Sequence, residues 1–98
     1  MRAEYHPAVQ RDFNEAILYY AEVSERLSDR IETEFRNGVE FIKDNPRRFS
    51  LYLGSKVFRR YQLPSFPYVI IYREKTMAVR VMIFKSEKRH PGYGMGRR

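Results

Sequence analysis

The residues with the clearest chemical potential in this chain are basic side chains in its second half. Their charge suits a phosphate or a carboxylate, and arginine can bind either group through two parallel hydrogen bonds. The set comprises Lys56, Arg59, Arg60, Arg73, Arg80, Lys85, Lys88 and Arg89. These residues fall on or just after predicted strands, where side chains on neighbouring strands lie about 5 Å apart. We therefore expect several of them to converge on one sheet face and bind an anion; a solvated edge without a ligand is the alternative.

Strand alternation leaves one ambiguity in this set. Arg80 lies mid-strand among apolar neighbours, where a merely solubilising charge is not expected. Either Arg59 or Arg60 shares its face, because adjacent residues of a strand point to opposite sides. The sequence does not decide between them.

A second group with chemical potential follows the last predicted strand. His90 can accept or donate a proton near neutral pH, and Tyr93 can stack on a base or supply a hydroxyl group. A basic tail in solvent is the simpler interpretation of the same residues. We expect no metal and no cofactor, since His6 and His90 lie at opposite ends of a chain without cysteine and no phosphate-binding glycine loop is present.

The charge of the chain is divided between its two halves. Residues 1–46 carry six Lys/Arg and ten Asp/Glu, whereas residues 47–98 carry thirteen Lys/Arg and only two acids. The halves therefore have charges of about −4 and +11, which make up the net +7. Like charges concentrated in one segment repel, so this division points to an anionic partner. Without a membrane-spanning stretch or a signal pattern, we expect a cytoplasmic protein with no membrane partner.

The apolar pattern of the first half predicts two helices joined as a hairpin. Apolar residues recur at helical spacing from Val9 to Val23 and again from Leu27 to Ile42. Ser24 is a plausible N-cap for the second helix, which should end before Pro46. A short edge strand can precede the hairpin at residues 2–5.

The second half predicts three strands, at residues 56–63, 68–73 and 76–85, with a tight turn at Glu74-Lys75. In the last strand, simple alternation places Met77, Val79, Val81 and Ile83 on one face and Ala78, Arg80, Met82 and Phe84 on the other. We therefore predict a single α+β domain over residues 1–98, ordered β-α-α-β-β-β. Its helix hairpin packs on one face of a small antiparallel sheet, the other face is free for a partner, and the basic, glycine-containing tail at residues 92–98 is mobile.

The chain resembles toxins of the RelE/ParE superfamily, which come from bacterial type II toxin–antitoxin modules. The most specific block of the resemblance is RRYQLPSFPYVIIYR, beginning at Arg59. The supporting motifs are His6-Pro7-Ala8, Asp12-Phe13, Tyr19-Tyr20, Asn45-Pro46, Val79-Arg80-Val81 and Arg89-His90-Pro91. The resemblance implies the same fold, a helix hairpin against a small antiparallel sheet.

The resemblance also implies a growth-inhibiting toxin held by a cognate antitoxin in a hetero-oligomer. RelE-like members cut mRNA on the ribosome, whereas ParE-like members poison DNA gyrase and are not nucleases. The residues implied for phosphate binding and catalysis are Arg60, Arg80, Lys85, Arg89 and Tyr93, with His90 as a further proton donor. Ribosome-dependent mRNA cleavage is the first expectation. Because Ser86 stands where many relatives carry His, gyrase inhibition and a catalytically weakened nucleic-acid-binding relative remain alternatives.

Overall fold

The computed structural model describes residues 1–98 as two helices and a four-stranded sheet. The elements are β1 (Arg2–Tyr5), α1 (Val9–Ala21), α2 (Glu25–Asp44), β2 (Phe58–Gln62), β3 (Tyr68–Lys75) and β4 (Ala78–Ser86). This order confirms the predicted α+β class. Neither α1 nor α2 combines the length and the apolarity needed to cross a lipid bilayer.

The sheet is mixed, which corrects the prediction of an antiparallel sheet. Its strand order is β1-β4-β3-β2, and β1 pairs with β4 in parallel while the other two pairs are antiparallel. The parallel pair arises because the whole helix hairpin and two strands separate β1 from β4 along the chain. Such a long connection can return the chain in the same direction.

The helix hairpin follows the predicted signals. The Ser24 hydroxyl accepts a hydrogen bond from the Leu27 amide at 3.0 Å, which confirms Ser24 as the N-cap of α2. The apolar stripe of α2, which includes Ile31 and Phe35, is buried against the sheet. Burial of these side chains is the main source of stability on this side.

The other face of the sheet is covered, so the prediction of a free face is wrong. Val69, Ile71 and Ile83 form a second apolar cluster there with Tyr52, from the loop before β2. Side chains of the C-terminal tail, among them Tyr93, pack against this cluster. Apolar residues lie on both faces of the central strands, and the loop and tail remove the second set from water.

A β-bulge in β4 overturns the predicted division of its side chains. Ile71 pairs with Ile83, but the next residue, Tyr72, pairs with Val81, so Met82 is an extra residue. The alternation therefore shifts at Met82. Ile83 joins the tail-side cluster, and Phe84 joins Val81 on the helix side.

The strand ends also differ from the prediction. β3 continues through Glu74 and Lys75, and the turn lies at residues 76–77, where Met77 has a φ of 62°. β2 begins at Phe58. The Ser55 hydroxyl accepts hydrogen bonds from the Val57 amide, just before the strand, and from the Phe58 amide, at its first residue. A pair of adjacent charges is a weak turn signal compared with glycine or asparagine.

Gly38 permits the close approach of α2 to the sheet. A Cβ atom at this position would lie 2.6 Å from Cε2 of Tyr61 and 3.1 Å from Cδ1 of Ile70. Tyr61 is 8% exposed, and its ring packs edge-on against Phe49 with 5.0 Å between ring centroids. The ring therefore has little room to move away.

We expect Gly38→Ala to lower the free energy of unfolding by about 1–2 kcal/mol, measured by urea denaturation. Overpacking costs about 1–3 kcal/mol and outweighs the roughly 1 kcal/mol by which alanine favours a helix over glycine. Gly96→Ala is the matched control, because no atom lies within 4 Å of its added Cβ. A Gly38→Ala protein as stable as the parent would contradict the close approach.

Candidate functional site

Three of the predicted basic residues come together at one end of the sheet. Arg60, Lys85 and Arg89 line a cavity of about 250 Å³. Tyr52 and Glu87 also line it, and we call this space the basic cavity. Arg60 pairs with Ile71, on the tail side of the sheet, so it is Arg60 rather than Arg59 that lies on the face of Arg80 and Lys85.

Lys85 is the buried member of the basic cavity. The residue is 4% exposed, and its Nζ donates to the Tyr52 hydroxyl at 2.6 Å and to the His90 carbonyl at 3.3 Å. The same nitrogen lies 5.1 Å from the Tyr52 ring centroid. None of the ion pairs in the chain involves Lys85.

The two arginines of the basic cavity are already paired with acids. Arg60 lies 2.9 Å from Oε1 of Glu87. Arg89 lies 3.5 Å from Oε2 of Glu15, and its guanidinium stands 4.3 Å from the ring centroid of Tyr93. Both ion pairs are exposed to solvent, so they are weak and can exchange for other partners.

The remaining basic residues lie elsewhere. Arg80 stands opposite Arg73 at the turn end of β3 and β4, and its Nη1 is 3.6 Å from Oε1 of Glu4. Arg59 donates to the Phe49 carbonyl at 2.6 Å. Exposed positions outside the strands are occupied by Lys56 and Lys88. The eight residues therefore do not form one continuous patch, and their roles stay predictions.

The two candidate proton donors are engaged differently. His90 is exposed, and its Nδ1 accepts a hydrogen bond from the Gly92 amide at 2.9 Å. No carboxylate ion-pairs with its ring. The Tyr93 hydroxyl donates to Oδ1 of Asp12 at 2.6 Å, so it is held away from a reacting group.

Asp12 is the residue that the sequence reasoning missed. Its side chain is fully buried, and it accepts hydrogen bonds from the Phe84 amide at 3.1 Å and the Tyr93 hydroxyl at 2.6 Å. Nη1 and Nη2 of Arg97 donate to its two oxygens at 2.6 and 3.0 Å. We call Asp12, Tyr93, Arg97 and the Phe84 amide the Asp12 network. The Asp12-Phe13 motif was the only sequence signal that could have found it.

Hydrogen bonding determines the charge state of this network. Burial acts to raise the pKa of Asp12, but hydrogen bonds from Arg97, Tyr93 and the Phe84 amide outweigh it, so the pKa is lowered. The hydrogen bond to Asp12 in turn raises the pKa of Arg97. The result is a buried, charged and fully bonded ion pair, the arrangement in which a buried charge is tolerated.

The Asp12 network completes the outer edge of β4. Strand β1 covers that edge only as far as Val81, whose carbonyl accepts from the His6 amide at 2.8 Å. Further along, the Phe84 amide is bonded by Asp12, and the Met82 carbonyl accepts from Nη1 of Arg97 at 2.9 Å. The side chains of Asp12 and Arg97 therefore make the backbone hydrogen bonds that a neighbouring strand would otherwise make.

Arg97 also gives the tail a defined position. Residues 91–96 form turns, and Arg97 joins them to α1 and to β4. This docked position differs from the mobile tail that its glycines and its place at the chain end predict. The sequence did not indicate this position because the anchoring partner, Asp12, lies far away along the chain, and the mobility of the tail stays a prediction.

No three His, Asp or Glu side chains come together as a metal site. The polar groups that line the basic cavity are three cations, the Tyr52 hydroxyl and a single carboxylate, Glu87. The chemistry of the cavity therefore suits an anion and not a metal ion.

The sequence matches a family model over residues 3–90, and that family is described as ParE toxin of type II toxin-antitoxin system, parDE. Among solved structures, the fold is similar to a chain described as the chromosomal ParDE TA system from P. aeruginosa, with a TM-score of 0.75 and 10% sequence identity. The similarity covers 88% of this chain and 95% of that chain. At this identity it bears on the fold alone. No curated protein matches the sequence.

We expect Asp12→Asn to lower the free energy of unfolding at neutral pH by about 3 kcal/mol, measured by urea denaturation. The change keeps the size of the side chain but leaves the Arg97 guanidinium, 9% exposed, without a counter-charge. Arg98→Met is the matched control, since this neighbouring arginine is exposed and makes no hydrogen bond or ion pair.

The loss of unfolding free energy in Asp12→Asn should be smaller at acid pH than at neutral pH. The folded-state pKa of Asp12 lies below its ordinary value of 3.8, so its stabilising contribution is present above that value and is lost as the pH falls through the folded-state pKa. The difference between parent and Asp12→Asn should therefore shrink at acid pH. A difference that stays constant from neutral pH to about pH 2 would contradict the charged assignment.

Proposed function

Because this chain belongs to the ParE toxin family of type II toxin–antitoxin systems, we propose that it inhibits growth by binding DNA gyrase. A cognate antitoxin holds it inactive in a hetero-oligomer. The toxin acts in the bacterial cytoplasm, where gyrase and its DNA are located. It works as a protein-binding inhibitor and not as an enzyme.

The observation that carries this proposal is the engagement of the candidate catalytic groups in structural contacts. A general acid must reach the leaving oxygen directly or through one water. Here the Tyr93 hydroxyl is bonded to Asp12, and Lys85 is enclosed beneath Tyr52. His90 has no carboxylate partner to orient it. A toxin that works by binding needs no convergent acid–base pair.

Ribosome-dependent mRNA cleavage is the second candidate, and one observation favours it. Arg60, Lys85 and Arg89 surround one cavity and can stabilise the charge that develops when a 2′-hydroxyl attacks the adjacent phosphate. His90 or Tyr93 would then protonate the 5′-oxygen, and Tyr93 would first have to leave Asp12. A weakened relative that only binds nucleic acid would use the same charges without the chemistry.

The charge division supports the antitoxin as partner. The acidic residues lie mainly on the helix hairpin, whereas the excess positive charge lies on the sheet, its loops and the tail. An acidic, partly disordered antitoxin segment can fold over such a surface and neutralise it. The toxin would then be released when the antitoxin is degraded.

The purified toxin should inhibit DNA supercoiling by gyrase, and addition of the cognate antitoxin should restore it. In cells, induction should cause filamentation and a DNA-damage response before protein synthesis falls, as measured by pulse labelling. Inhibition of gyrase and inhibition of translation can be measured separately, because translation of a defined mRNA needs no gyrase.

Cleavage of ribosome-bound mRNA with normal supercoiling would contradict the gyrase proposal. The variant Arg60→Ala/Arg80→Ala/Arg89→Ala provides a further separation. If it remains fully toxic, the ribonuclease candidate fails, since the variant removes both arginines of the basic cavity, Arg60 and Arg89, as well as Arg80.

A further inference from the structure

Lys85 carries a buried charge that the chain itself does not neutralise. The other buried charge, on Asp12, is paired with Arg97 and bonded on every side. Lys85 has only neutral acceptors, the Tyr52 hydroxyl and the His90 carbonyl. Burying an ammonium group without a counter-charge is costly, so its environment favours an anion.

The basic cavity gives such an anion a place to bind. It offers about 250 Å³ beside Lys85, with Arg60 and Arg89 among its lining residues. Both arginines are paired with exposed carboxylates, and such ion pairs are weak enough to exchange for an incoming group. Arg60 also donates to Oε1 of Gln62 at 3.2 Å, and Arg89 stands over the Tyr93 ring. One buried cation and two partly exposed cations therefore surround a single space.

Glu87 indicates which anion fits the outer part of the cavity. Its carboxylate already accepts a hydrogen bond from Nη2 of Arg60 at 2.9 Å. Residues 47–98 contain only two acidic side chains. The presence of one of them at this cluster of cations is therefore not explained by a high number of acids in this part of the chain. Glu87 is paired with Arg60, the outer cation, and leaves Lys85, the inner cation, without an acidic partner.

The shape of the site favours a side-chain carboxylate over a nucleic-acid phosphate. A carboxylate at the end of an Asp or Glu side chain is slender and can enter a narrow space. A backbone phosphate carries a sugar on each side. Tyr52 and Pro91 line the cavity beside Lys85, which is 4% exposed, so the end of a single side chain is better suited to reach it than a phosphodiester.

We propose that the basic cavity is a carboxylate-binding site that receives one acidic side chain of the cognate antitoxin. The incoming carboxylate replaces Glu87 at Arg60 and supplies the counter-charge that Lys85 lacks. This inference rests on the proposed toxin–antitoxin function for the identity of the partner. It adds the particular site at which the antitoxin is recognised.

The test measures the dissociation constant of the toxin–antitoxin complex and the stability of the free toxin for the same variants. Lys85→Met should weaken binding by at least about tenfold, because it removes a desolvated charge partner. It should leave the free toxin as stable as the parent or more so, since an unpaired buried charge is lost and the Tyr52 hydroxyl still donates to the Pro91 carbonyl at 3.2 Å. A purely structural role for Lys85 would instead lower stability.

Two further toxin variants sharpen the result. Glu87→Gln should tighten binding severalfold, because it removes the competing carboxylate. Lys75→Met is the matched control: it deletes a charge from an exposed side chain at the far end of β3 and should change the affinity by less than about twofold.

The partner residue is found by replacing each Asp and Glu of the antitoxin with its amide. One replacement should weaken binding to the parent toxin but have no further effect with Lys85→Met, the signature of a direct pair. If Lys85→Met does not fold, Arg60→Met takes its place in this arm, because the incoming carboxylate is also expected to bind Arg60.

Unchanged affinity of Lys85→Met, or no antitoxin acid coupled to Lys85, would overturn the inference. So would inorganic phosphate that perturbs the Lys85 side-chain NMR signals while no antitoxin acid couples to it, since the site would then take phosphate. Gyrase inhibition by the free toxin is measured separately, so failure here leaves the proposed function standing.

Discussion

The carboxylate of Asp12 accepts a backbone hydrogen bond at a sheet edge that no neighbouring strand covers. β1 is too short to cover the whole outer edge of β4, and a buried backbone amide or carbonyl without a partner is costly. Asp12 reaches from α1 to bond the Phe84 amide, and Arg97 comes from the tail to bond the Met82 carbonyl. One ion pair thus closes the sheet edge and joins α1, β4 and the tail.

The basic cavity depends on that arrangement. The tail crosses the second face of the sheet because Arg97 is anchored, and Pro91 then forms part of the cavity lining above Lys85. The His90 carbonyl, from the same segment, accepts a hydrogen bond from Lys85. The ion pair between Asp12 and Arg97 therefore also encloses Lys85, for which we propose a carboxylate partner. Asp12 accepts the hydrogen bond of the Tyr93 hydroxyl as well.

Features specified by neighbouring residues could be predicted from the sequence. The N-cap at Ser24 and the amphipathic helices have local signals, and the apolar run from Tyr68 identifies β3. The sequence also predicted that several basic residues of the strands would converge, although it did not specify which of them; the place of Lys85 beside Arg60 depends on the bulge at Met82. The N-cap, the helices and β3 need only spacing and side-chain type.

Features specified by distant partners could not be predicted. The bulge at Met82 carries no glycine or proline signal, yet it moves Ile83 to the tail side of the sheet. Asp12 looked like one more polar helix residue because Arg97, its partner, lies near the other end of the chain. The docked position of the tail depends on the same distant pair.

Amide hydrogen exchange at Phe84 tests most directly whether Asp12 replaces a strand. In the parent protein this amide should exchange only when the molecule unfolds globally. In Asp12→Ala it should exchange through local opening, far faster than amides bonded between β3 and β4 in the same protein. If Phe84 stays as protected as those amides in Asp12→Ala, the edge of β4 does not depend on Asp12 and the account is contradicted.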